Sequence, residues 1–380
     1  MIAAQLKIAN RREVFRYMRT KYLRTGEDTS KAEIAKQTGI SNPTLMKITE
    51  FFMEKGLLEA GGEMVLSVGR PSQMLKVKRD CMYAVGFLLE GMYLFMGVVD
   101  IFGGIVFRKI LEVERDMMAV SRQIRDGLVT EVLSEAGIDR RKLAGIGIAV
   151  PASYDMKTRT ISTGRMVKID RETYMGDYID EMEAMYHVPV FLENDANAEC
   201  LGASNMRNLF GEGGDMLLIS LGTGIGAALM LDGKLRRGFH ERCGEIWCNV
   251  PGSREPLGPG KTLEDQISLQ EVFKKYGMEY RDGVKGMSPA IRRRIAEDIA
   301  KELAVVIHNA NTLIDCQDLV ICGQVIELLG EPFLEAVNRH LEELMPLGSH
   351  PKVQVESPFA GIAGIAGTCI EYQVERILES

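Results

Sequence analysis

The sequence predicts a winged helix-turn-helix over residues 1–79, followed by a two-lobed α/β body over residues 80–380. Three observations support this fold class. A helix, a sharp turn and a second helix fit residues 31–50. Basic charge is concentrated in the first 79 residues, and a β-meander followed by α/β segments occurs twice after residue 80.

The segment KAEIAKQTGISNPTLMKITE, residues 31–50, has the pattern of a helix-turn-helix. Gly39 stands where the turn needs a positive φ, and Pro43 is tolerated in the first turn of the second helix. Ser41 is placed to cap that helix. The apolar residues of the expected seam are Ile34, Ile40, Leu45 and Ile48.

The second helix would expose side chains that can reach base edges and phosphates in a major groove. The predicted DNA-binding residues are Ser41, Asn42, Thr44, Lys47 and Arg70. Arg70 lies in a Gly-Arg-Pro segment that fits a minor-groove hook but equally fits a linker turn. An ordinary helical hairpin without a role in DNA binding is the alternative interpretation of residues 31–50.

The flanks and the charge favour a winged helix. An amphipathic helix is predicted over residues 10–23, and two strands, 57–60 and 64–68, are predicted to be joined by Gly61-Gly62. Residues 1–79 carry 15 Lys and Arg against 8 Asp and Glu, a net charge of +7, whereas the remainder carries −14. Phosphate contact is therefore expected from the basic side chains as a group. They are Arg11, Arg12, Arg16, Lys47 and Arg70.

Composition is that of an ordinary globular protein, with 380 residues, 46% hydrophobic and 26% charged. The sequence has no run of 18 apolar residues and no signal-peptide pattern, so we expect a cytoplasmic protein with no membrane partner. Its seven cysteines are scattered without a CxxC pair. They are expected to be small buried hydrophobic residues in a reducing compartment.

The body is predicted to contain two similar units with a cleft between them. The first has a meander of strands and later strands alternating with helices; its strands are predicted at 83–89, 93–100, 104–110, 143–150 and 190–192. Its helices are predicted at 118–136, 174–186 and after Asp195. The second unit has strands at 216–221 and 224–231, a third near Leu235, then long helices and a strand at 319–322.

Candidate chemistry concentrates around this cleft. Residues 220–226, SLGTGIG, form a glycine-rich turn that could approach a phosphate or simply be tight. Asn194 and Asp195 follow a strand and open a helix, where a carboxamide beside a carboxylate suits polyol recognition. Asp195 could instead only cap the helix. Glu245 and Glu264 add two carboxylates.

These motifs together resemble the ROK family of sugar kinases and sugar-responsive repressors. The matching segments are GIGIAVP (145–151), FLENDANAECLGA (191–203), LISLGTGIGAALMLDGKLRRG (218–238), CGEI (243–246), LEDQIS (263–268) and VICGQVIELLG (320–330). The resemblance implies an actin-like, ribonuclease-H-like ATPase fold. The preceding winged helix matches the repressor branch, and the implied sugar-binding residues are Asn194, Asp195, Glu245 and Glu264.

Two departures from the family pattern affect cofactors. The kinases' Asp-x-Gly-Gly-Thr phosphate loop corresponds to residues 88–92, LLEGM, so Glu90 is expected to repel phosphates. Asp195 matches the kinases' general base and is interpreted as a vestige, which leaves no catalytic residue. The family's zinc-binding His corresponds to Cys248, and the loop 256–262 has no cysteine. We therefore predict neither ATP nor zinc as a cofactor.

The predicted function is a sugar-responsive transcriptional regulator, not an enzyme, that represses carbohydrate-utilisation genes until a sugar binds. Its expected partners are double-stranded operator DNA, a small sugar and a second copy, as a homodimer or a dimer of dimers. Three alternatives stay open: a constitutive DNA-binding protein with a purely structural body, an active ATP-dependent sugar kinase, and an activator.

Overall fold

The structure is a computed structural model that describes residues 2–64, 72–114, 116–162, 172–209, 214–249, 262–279, 287–345 and 350–380. Within these ranges, no helix has both the length and the apolar character required to cross a membrane. Arg70 and its neighbours at 69 and 71 lie outside the described residues, as do residues 65–68 of the predicted wing strand 64–68 and residues 256–261.

The N-terminal head is a winged helix. Its elements are α1 (Ile2–Thr25), β1 (Thr29–Ser30), α2 (Lys31–Thr38), α3 (Asn42–Glu54), β2 (Leu58–Met64) and β3 (Ser72–Val77). The strands form an antiparallel sheet in the order β1-β3-β2. Ser30 caps α2 by accepting from the Glu33 amide at 3.2 Å, and Gly39 ends it in the left-handed region at φ 69°.

The predicted turn at Gly61-Gly62 is wrong. Strand β2 continues through both glycines, with an irregularity in register between Ala60 and Glu63. Gly61 instead leaves space for the Asp28 side chain, because a Cβ there would stand 2.4 Å from Asp28 Oδ2 and that carboxyl group would have to move. Sequence pattern alone does not distinguish a glycine that makes a turn from one that makes room.

The body consists of two lobes with the same sheet topology. The first lobe contains β4 (Tyr83–Glu90), β5 (Tyr93–Asp100), β6 (Ile105–Glu112), α4 (Met117–Gln123), a π-helical turn (Ile124–Leu128), α5 (Val129–Glu135), a 3₁₀ turn (Arg140–Lys142), β7 (Leu143–Val150), β8 (Ser153–Asp155), β9 (Thr160–Ser162), β10 (Thr173–Tyr174), α6 (Gly176–Tyr186), β11 (Val190–Asn194) and α7 (Asp195–Leu209).

The second lobe completes the chain. It contains β12 (Met216–Leu221), β13 (Ile225–Leu231), β14 (Lys234–Leu235), a 3₁₀ turn (Ile246–Cys248), α8 (Leu263–Ile267), α9 (Leu269–Lys275), α10 (Pro289–Ile314), β15 (Asp318–Cys322), α11 (Gln324–Leu329), α12 (Glu331–Leu344) and β16 (Val353–Val355). The last helix, α13 (Ala360–Glu379), returns to the first lobe.

The two large sheets have the orders β11-β7-β4-β5-β6 and β14-β13-β12-β15-β16. In each, three antiparallel strands form a meander and two later strands run parallel to the first. This repeat is the two-lobed, actin-like architecture that the sequence predicted. A small sheet in the order β10-β9-β8 was not predicted, because its strands are only two or three residues long.

Helix α13 packs directly against α7 and against the first lobe's sheet. At the crossing, a Cβ on Gly364 would lie 1.9 Å from the Ala198 carbonyl oxygen, and one on Gly202 would lie 1.9 Å from the Ala360 carbonyl oxygen. The two backbones can approach this closely only because both positions are glycine.

Gly364→Ala is expected to lower the free energy of unfolding by about 3 kcal/mol or more, since neither helix backbone can yield to the added methyl group. Gly127→Ala is the matched control: a Cβ there meets nothing within 4 Å, so the change should be neutral or stabilising by up to about 1 kcal/mol. Urea unfolding monitored by circular dichroism measures both. Equal midpoints for the two variants would contradict this packing argument.

Candidate functional site

A cleft lies between the lobes at the carboxyl ends of β4, β7 and β11. Its walls also include the turn between β12 and β13, the 3₁₀ turn at 246–248 and the start of α8. The polar or charged side chains that line it are Glu90, Ser153, Asn194, Asp195, Ser220, Thr223, Glu245, Trp247 and Glu264. All four predicted sugar-binding residues therefore line one cleft, although they come from separate segments of the chain.

Asn194 and Asp195 occupy the junction between β11 and α7. The Asn194 Oδ1 accepts from the Asn197 amide at 3.0 Å, so Asn194 caps the helix. Its Nδ2 donates to the Ala152 carbonyl at 3.3 Å and to Asp195 Oδ1 at 3.0 Å. Asp195 Oδ1 also accepts from the Ala196 amide at 2.8 Å. Asn194 thus orients the Asp195 carboxyl group toward the cleft.

Glu193, the residue before Asn194, stabilises this junction. It is buried, forms an ion pair with Arg237, and accepts from the Asn194 amide at 2.9 Å and from Asn197 Nδ2 at 3.0 Å. Arg237 follows β14 in the second lobe, so this pair ties the two lobes together beside the cleft. Sequence reasoning quoted both residues within motifs without assigning them this role.

Glu245 and Glu264 line the other lobe's side of the cleft. Glu245 accepts from the Ser153 hydroxyl and from the Trp247 indole N–H. Glu264 is mostly buried, and its Oε2 accepts from the Ile225 amide at 3.4 Å. Trp247, the single tryptophan of the chain, was missed from sequence; its place directly after the Gly-Glu-Ile segment was the available signal.

Glu90 closes the end of the cleft next to the glycine-rich turn. It is buried at the end of β4, and its Oε1 accepts from the Gln324 amide, the first of α11, at 3.4 Å. A Cβ added to Gly222 would stand 2.2 Å from the same oxygen. The Glu90 side chain, which belongs to the first lobe, therefore fills the space between two backbone segments of the second lobe.

Three acidic side chains crowd this end of the cleft. Burial raises the pKa of Glu90 well above its ordinary value, and the nearby Glu199 and Asp195 raise it further. Burial, with Glu199 second, raises the pKa of Asp195 to about 8. Burial also raises the pKa of Glu199, whose Oε2 accepts from the Cys322 thiol at 2.9 Å. The protonated forms of these acids are favoured in the folded protein.

The raised pKa of Glu90 changes the argument made from sequence about phosphate binding. The expectation was that a negative charge at Glu90 would repel a phosphate. Because its neutral acid is favoured, Glu90 opposes a phosphate mainly by occupying the space between Gly222 and Gln324.

Comparisons with known proteins identify the family of this chain. A model of the ROK family matches residues 96–368, more than two thirds of the chain. The chain belongs to the ROK family. It is 24% identical over 358 residues to a putative xylose repressor of Caldicellulosiruptor sp. (strain Rt8B.4), covering 86% of this chain and 87% of that protein.

Solved structures of other ROK proteins show the same fold. One is a ROK family transcriptional regulator, a homologue of the E. coli Mlc protein, with a TM-score of 0.69 and 17% identity over 97% of this chain and 99% of that one. Another is a ROK glucokinase of Streptomyces griseus in complex with glucose and AMPPNP, with a TM-score of 0.58 and 21% identity over 76% of this chain and 98% of that one.

Four of the seven cysteines of this ROK protein are buried as expected, whereas Cys81, Cys243 and Cys248 are half-buried. Cys200, Cys316, Cys322 and Cys369 are buried, and all seven cysteines are free thiols. The Cys248 thiol, at the position of the family's zinc-binding His, donates to the Glu245 carbonyl at 3.0 Å. In the part of the chain that the structure describes, no group of three or more His, Cys, Asp or Glu is arranged to hold a metal ion.

The DNA-reading candidates of the ROK protein lie at the start of α3. Asn42 and Lys47 are exposed, and Thr44 is half-buried. Ser41 occupies the cap position, but its hydroxyl is 3.0 Å from the Thr44 hydroxyl and makes no capping bond to the backbone. The opposite face of α3 packs into the head's core through Leu45, Ile48 and Phe52.

Two of the five residues expected to contact phosphate instead make contacts within the protein. Arg11 is only 4% exposed; it donates to the Leu378 carbonyl at 2.7 Å and lies 3.3 Å above the Phe51 ring. Arg12 forms a bidentate pair with Glu375 at 2.8 and 2.5 Å. The expectation that Arg11 contacts phosphate is therefore corrected, because this side chain is buried against α13. Arg12 also holds α1 against α13, but through an exposed pair, so its contact with phosphate stays a prediction. Periodicity within α1 could not reveal this, because the partner helix lies more than 360 residues away.

Proposed function

We propose that this protein is a sugar-responsive transcriptional repressor of carbohydrate-utilisation genes. Its winged helix would bind operator DNA, and the cleft between its lobes would bind the sugar. The observation that carries this proposal is the cleft itself. Asp195, Glu245 and Glu264 converge on it from three separate elements, while the end next to the glycine-rich turn is filled by Glu90.

The cleft's chemistry fits a polyhydroxylated ligand. Carboxyl oxygens of Asp195, Glu245 and Glu264 can accept from sugar hydroxyls, and each such bond is stronger when the carboxyl group is ionised. The Asn194 carboxamide, engaged with the backbone, keeps Asp195 in place. Trp247 offers an aromatic surface for the less polar side of a sugar ring. Similarity to a putative xylose repressor makes D-xylose the first sugar to test.

Loss of phosphoryl transfer is part of the proposal. A kinase must hold the phosphoryl donor in line with the acceptor, and positioning supplies most of that catalysis. In this chain the Glu90 carboxyl group lies between Gly222 and the Gln324 amide, where it would oppose a phosphate approaching the glycine-rich turn.

An active sugar kinase is the second candidate function. The raised pKa of Asp195, about 8, is the observation that favours it, because a general base works best when its pKa lies near the working pH. A coupled assay with Mg-ATP and a panel of pentoses and hexoses separates the two. Sugar-dependent turnover of ATP by the purified protein would overturn the repressor-only proposal.

A continuous path of packed helices supports coupling between cleft and head. Asp195 is the first residue of α7, which crosses α13 at the glycine contact between Gly202 and Ala360. The last turns of α13 hold α1 through Glu371, Glu375 and Leu378. A sugar that moves α7 would therefore bias the position of the head. It can do so only by its differential affinity for the two positions, typically about 1–3 kcal/mol.

A homodimer would convert this bias into a change in the spacing of two DNA-reading helices. One experiment on the full chain distinguishes the sugar-responsive repressor from a constitutive DNA-binding protein whose body is purely structural. Its operator is first selected from random DNA, and fluorescence anisotropy then measures operator affinity with and without each sugar. A sugar that stabilises the protein thermally and weakens operator binding supports the proposal; no response to any pentose or hexose contradicts it.

Lys47→Ala and Asn42→Ala are expected to weaken operator binding by different routes. Lys47→Ala should lower affinity for all sequences and reduce the salt dependence by about one unit, as loss of one phosphate contact requires. Asn42→Ala should cost about 1–3 kcal/mol on the selected operator and relax its sequence preference. Anisotropy titrations at several salt concentrations measure both effects.

Lys301→Ala is the matched control, because it removes the same charge from an exposed position on α10. If it weakened operator binding as much as Lys47→Ala, overall charge and not the α3 surface would account for the effect.

Arg12→Gln is expected to reduce the sugar's effect on operator binding while sugar affinity in the cleft stays unchanged. The pair with Glu375 is exposed, so its loss should cost no more than about 1 kcal/mol of stability. A cycle with Glu375→Gln tests whether the two changes act through the same contact. If each variant retains the full sugar response, this contact does not transmit it.

A further inference from the structure

A second cavity, of about 360 Å³, lies between the head and the body. It is bounded by α1, the turn between β5 and β6, and the crossing of α7 with α13. Its apolar wall consists of Phe15, Phe102, Ala363, Ile370, Val374 and Leu378. Both its position and its lining distinguish this cavity from the cleft that holds Asp195.

Three arginines of α1 line one side of the cavity, and two glutamates of α13 face them. Arg12 pairs with Glu375 and Arg19 pairs with Glu371 at 2.7 Å, whereas Arg16 is exposed and has no ion pair among the described residues. The cavity therefore carries one uncompensated positive charge.

Arg19 adds an unsatisfied donor at the same place. This side chain is 4% exposed, and its Nε has no hydrogen-bond partner among the residues that the structure describes. A buried donor without a partner destabilises the folded protein, and a bound acceptor would relieve that cost. Its Nη1 donates to Glu371, and Nε is the buried nitrogen of this guanidinium that still lacks an acceptor.

We propose that this cavity binds a small carboxylate with an apolar body, such as an aryl-alkyl acid. The carboxylate would pair with Arg16 and accept from Arg19 Nε, since guanidinium groups recognise carboxylates with good geometry. The apolar body would pack against Phe15, Phe102 and Ile370. An uncharged sugar fits this lining poorly, and the acidic cleft in turn disfavours a carboxylate, so the two sites select different ligands.

The ligand would contact α1 and α13 at once and therefore strengthen the junction that Arg12 and Glu375 make. Binding itself does not depend on the proposed repressor function. Only its consequence for DNA, that the ligand alters operator affinity together with the sugar, rests on that function.

Isothermal titration calorimetry of the full chain with 4-phenylbutyrate tests the proposal, with the uncharged 4-phenylbutyramide as the matched ligand. The carboxylate should bind and the amide should bind about tenfold more weakly or not at all. Arg16→Gln and Ala363→Leu should each weaken binding of the carboxylate by about tenfold or more, the first by removing its charge partner and the second by filling the cavity. Arg122→Gln, which changes an exposed arginine on α4, should bind like the wild type.

Arg16 is on the surface, so Arg16→Gln keeps the test valid even if Ala363→Leu fails to fold. Equal affinity for acid and amide would overturn the proposal, as would failure of 4-phenylbutyrate, octanoate and indole-3-acetate all to bind. If Ala363→Leu instead changes the oligomeric state measured by light scattering and leaves acid binding intact, the cavity is an interface between copies and the ligand site is disproved.

Discussion

Above about pH 8, where the wild-type carboxylate is present, Asp195→Asn is expected to weaken sugar binding by about 10- to 100-fold and to leave operator affinity in the absence of sugar unchanged. The substitution removes the acid and keeps its size, so the loss measures the carboxyl group itself. Operator binding should persist because Asp195, at the start of α7, is not part of α3, the helix predicted to read DNA. Calorimetry measures the sugar, and anisotropy measures the operator. Asp195→Ala should behave in the same way.

The pH dependence provides an independent test of the same residue. Burial raises the pKa of Asp195 to about 8, so at pH 6 most molecules carry the neutral acid. If the sugar prefers the carboxylate, wild-type affinity should rise as pH increases toward 8 and level off above it, whereas affinity of Asp195→Asn should be flat. Glu131→Gln, on the far face of α5, should keep the wild-type profile. A full sugar response in Asp195→Asn would show that the site assignment is wrong.

Glu90→Gln is expected to make the protein more stable than the wild type at pH 8, by about 1–3 kcal/mol, with little difference near pH 4. The pKa of Glu90 is raised well above its ordinary value by burial and by Glu199 and Asp195. An acid with a raised folded-state pKa binds more protons in the folded than in the unfolded protein. Wild-type stability should therefore fall as pH rises above the ordinary carboxyl value, and the variant should lose less.

Urea unfolding at intervals between about pH 4 and 9 measures this difference. Stability will still depend on pH in Glu90→Gln, since the pKa values of Asp195 and Glu199 are also raised. Glu342→Gln is the matched control: it removes an exposed carboxylate on α12 that does not contribute to the raised pKa of Glu90, and it should leave the pH dependence of stability unchanged. If stability varied with pH identically in the wild type and Glu90→Gln, Glu90 would be solvated and would not occupy the space between Gly222 and Gln324.

Much of the fold follows from short-range pattern. Strands β7 and β12 begin and end where apolar runs predicted them, and β5 matches as well. The turn of the helix-turn-helix is as expected because Gly39 has few competing roles. Gly61 and Gly62 were misassigned because a glycine that admits Asp28 looks the same in sequence as one that turns the chain.

Part of the candidate site could also be predicted from the sequence, but for a different reason. Asn194, Asp195, Glu245 and Glu264 could be named because they stand in distinctive motifs. Trp247 was missed because it has no motif of its own, and the filling role of Glu90 was missed because it depends on contacts with the other lobe.

By itself, the sequence determined the order of elements, the two repeated sheets and the types of side chain available for DNA and sugar. These properties depend on periodicity and on residue identity within a few positions. Only the tertiary structure decided that Arg11 and Arg12 hold α13, that Glu90 is buried and disposed to be neutral, and that a cavity separates head from body. Those outcomes depend on burial and on partners hundreds of residues away, and no local pattern carries that information.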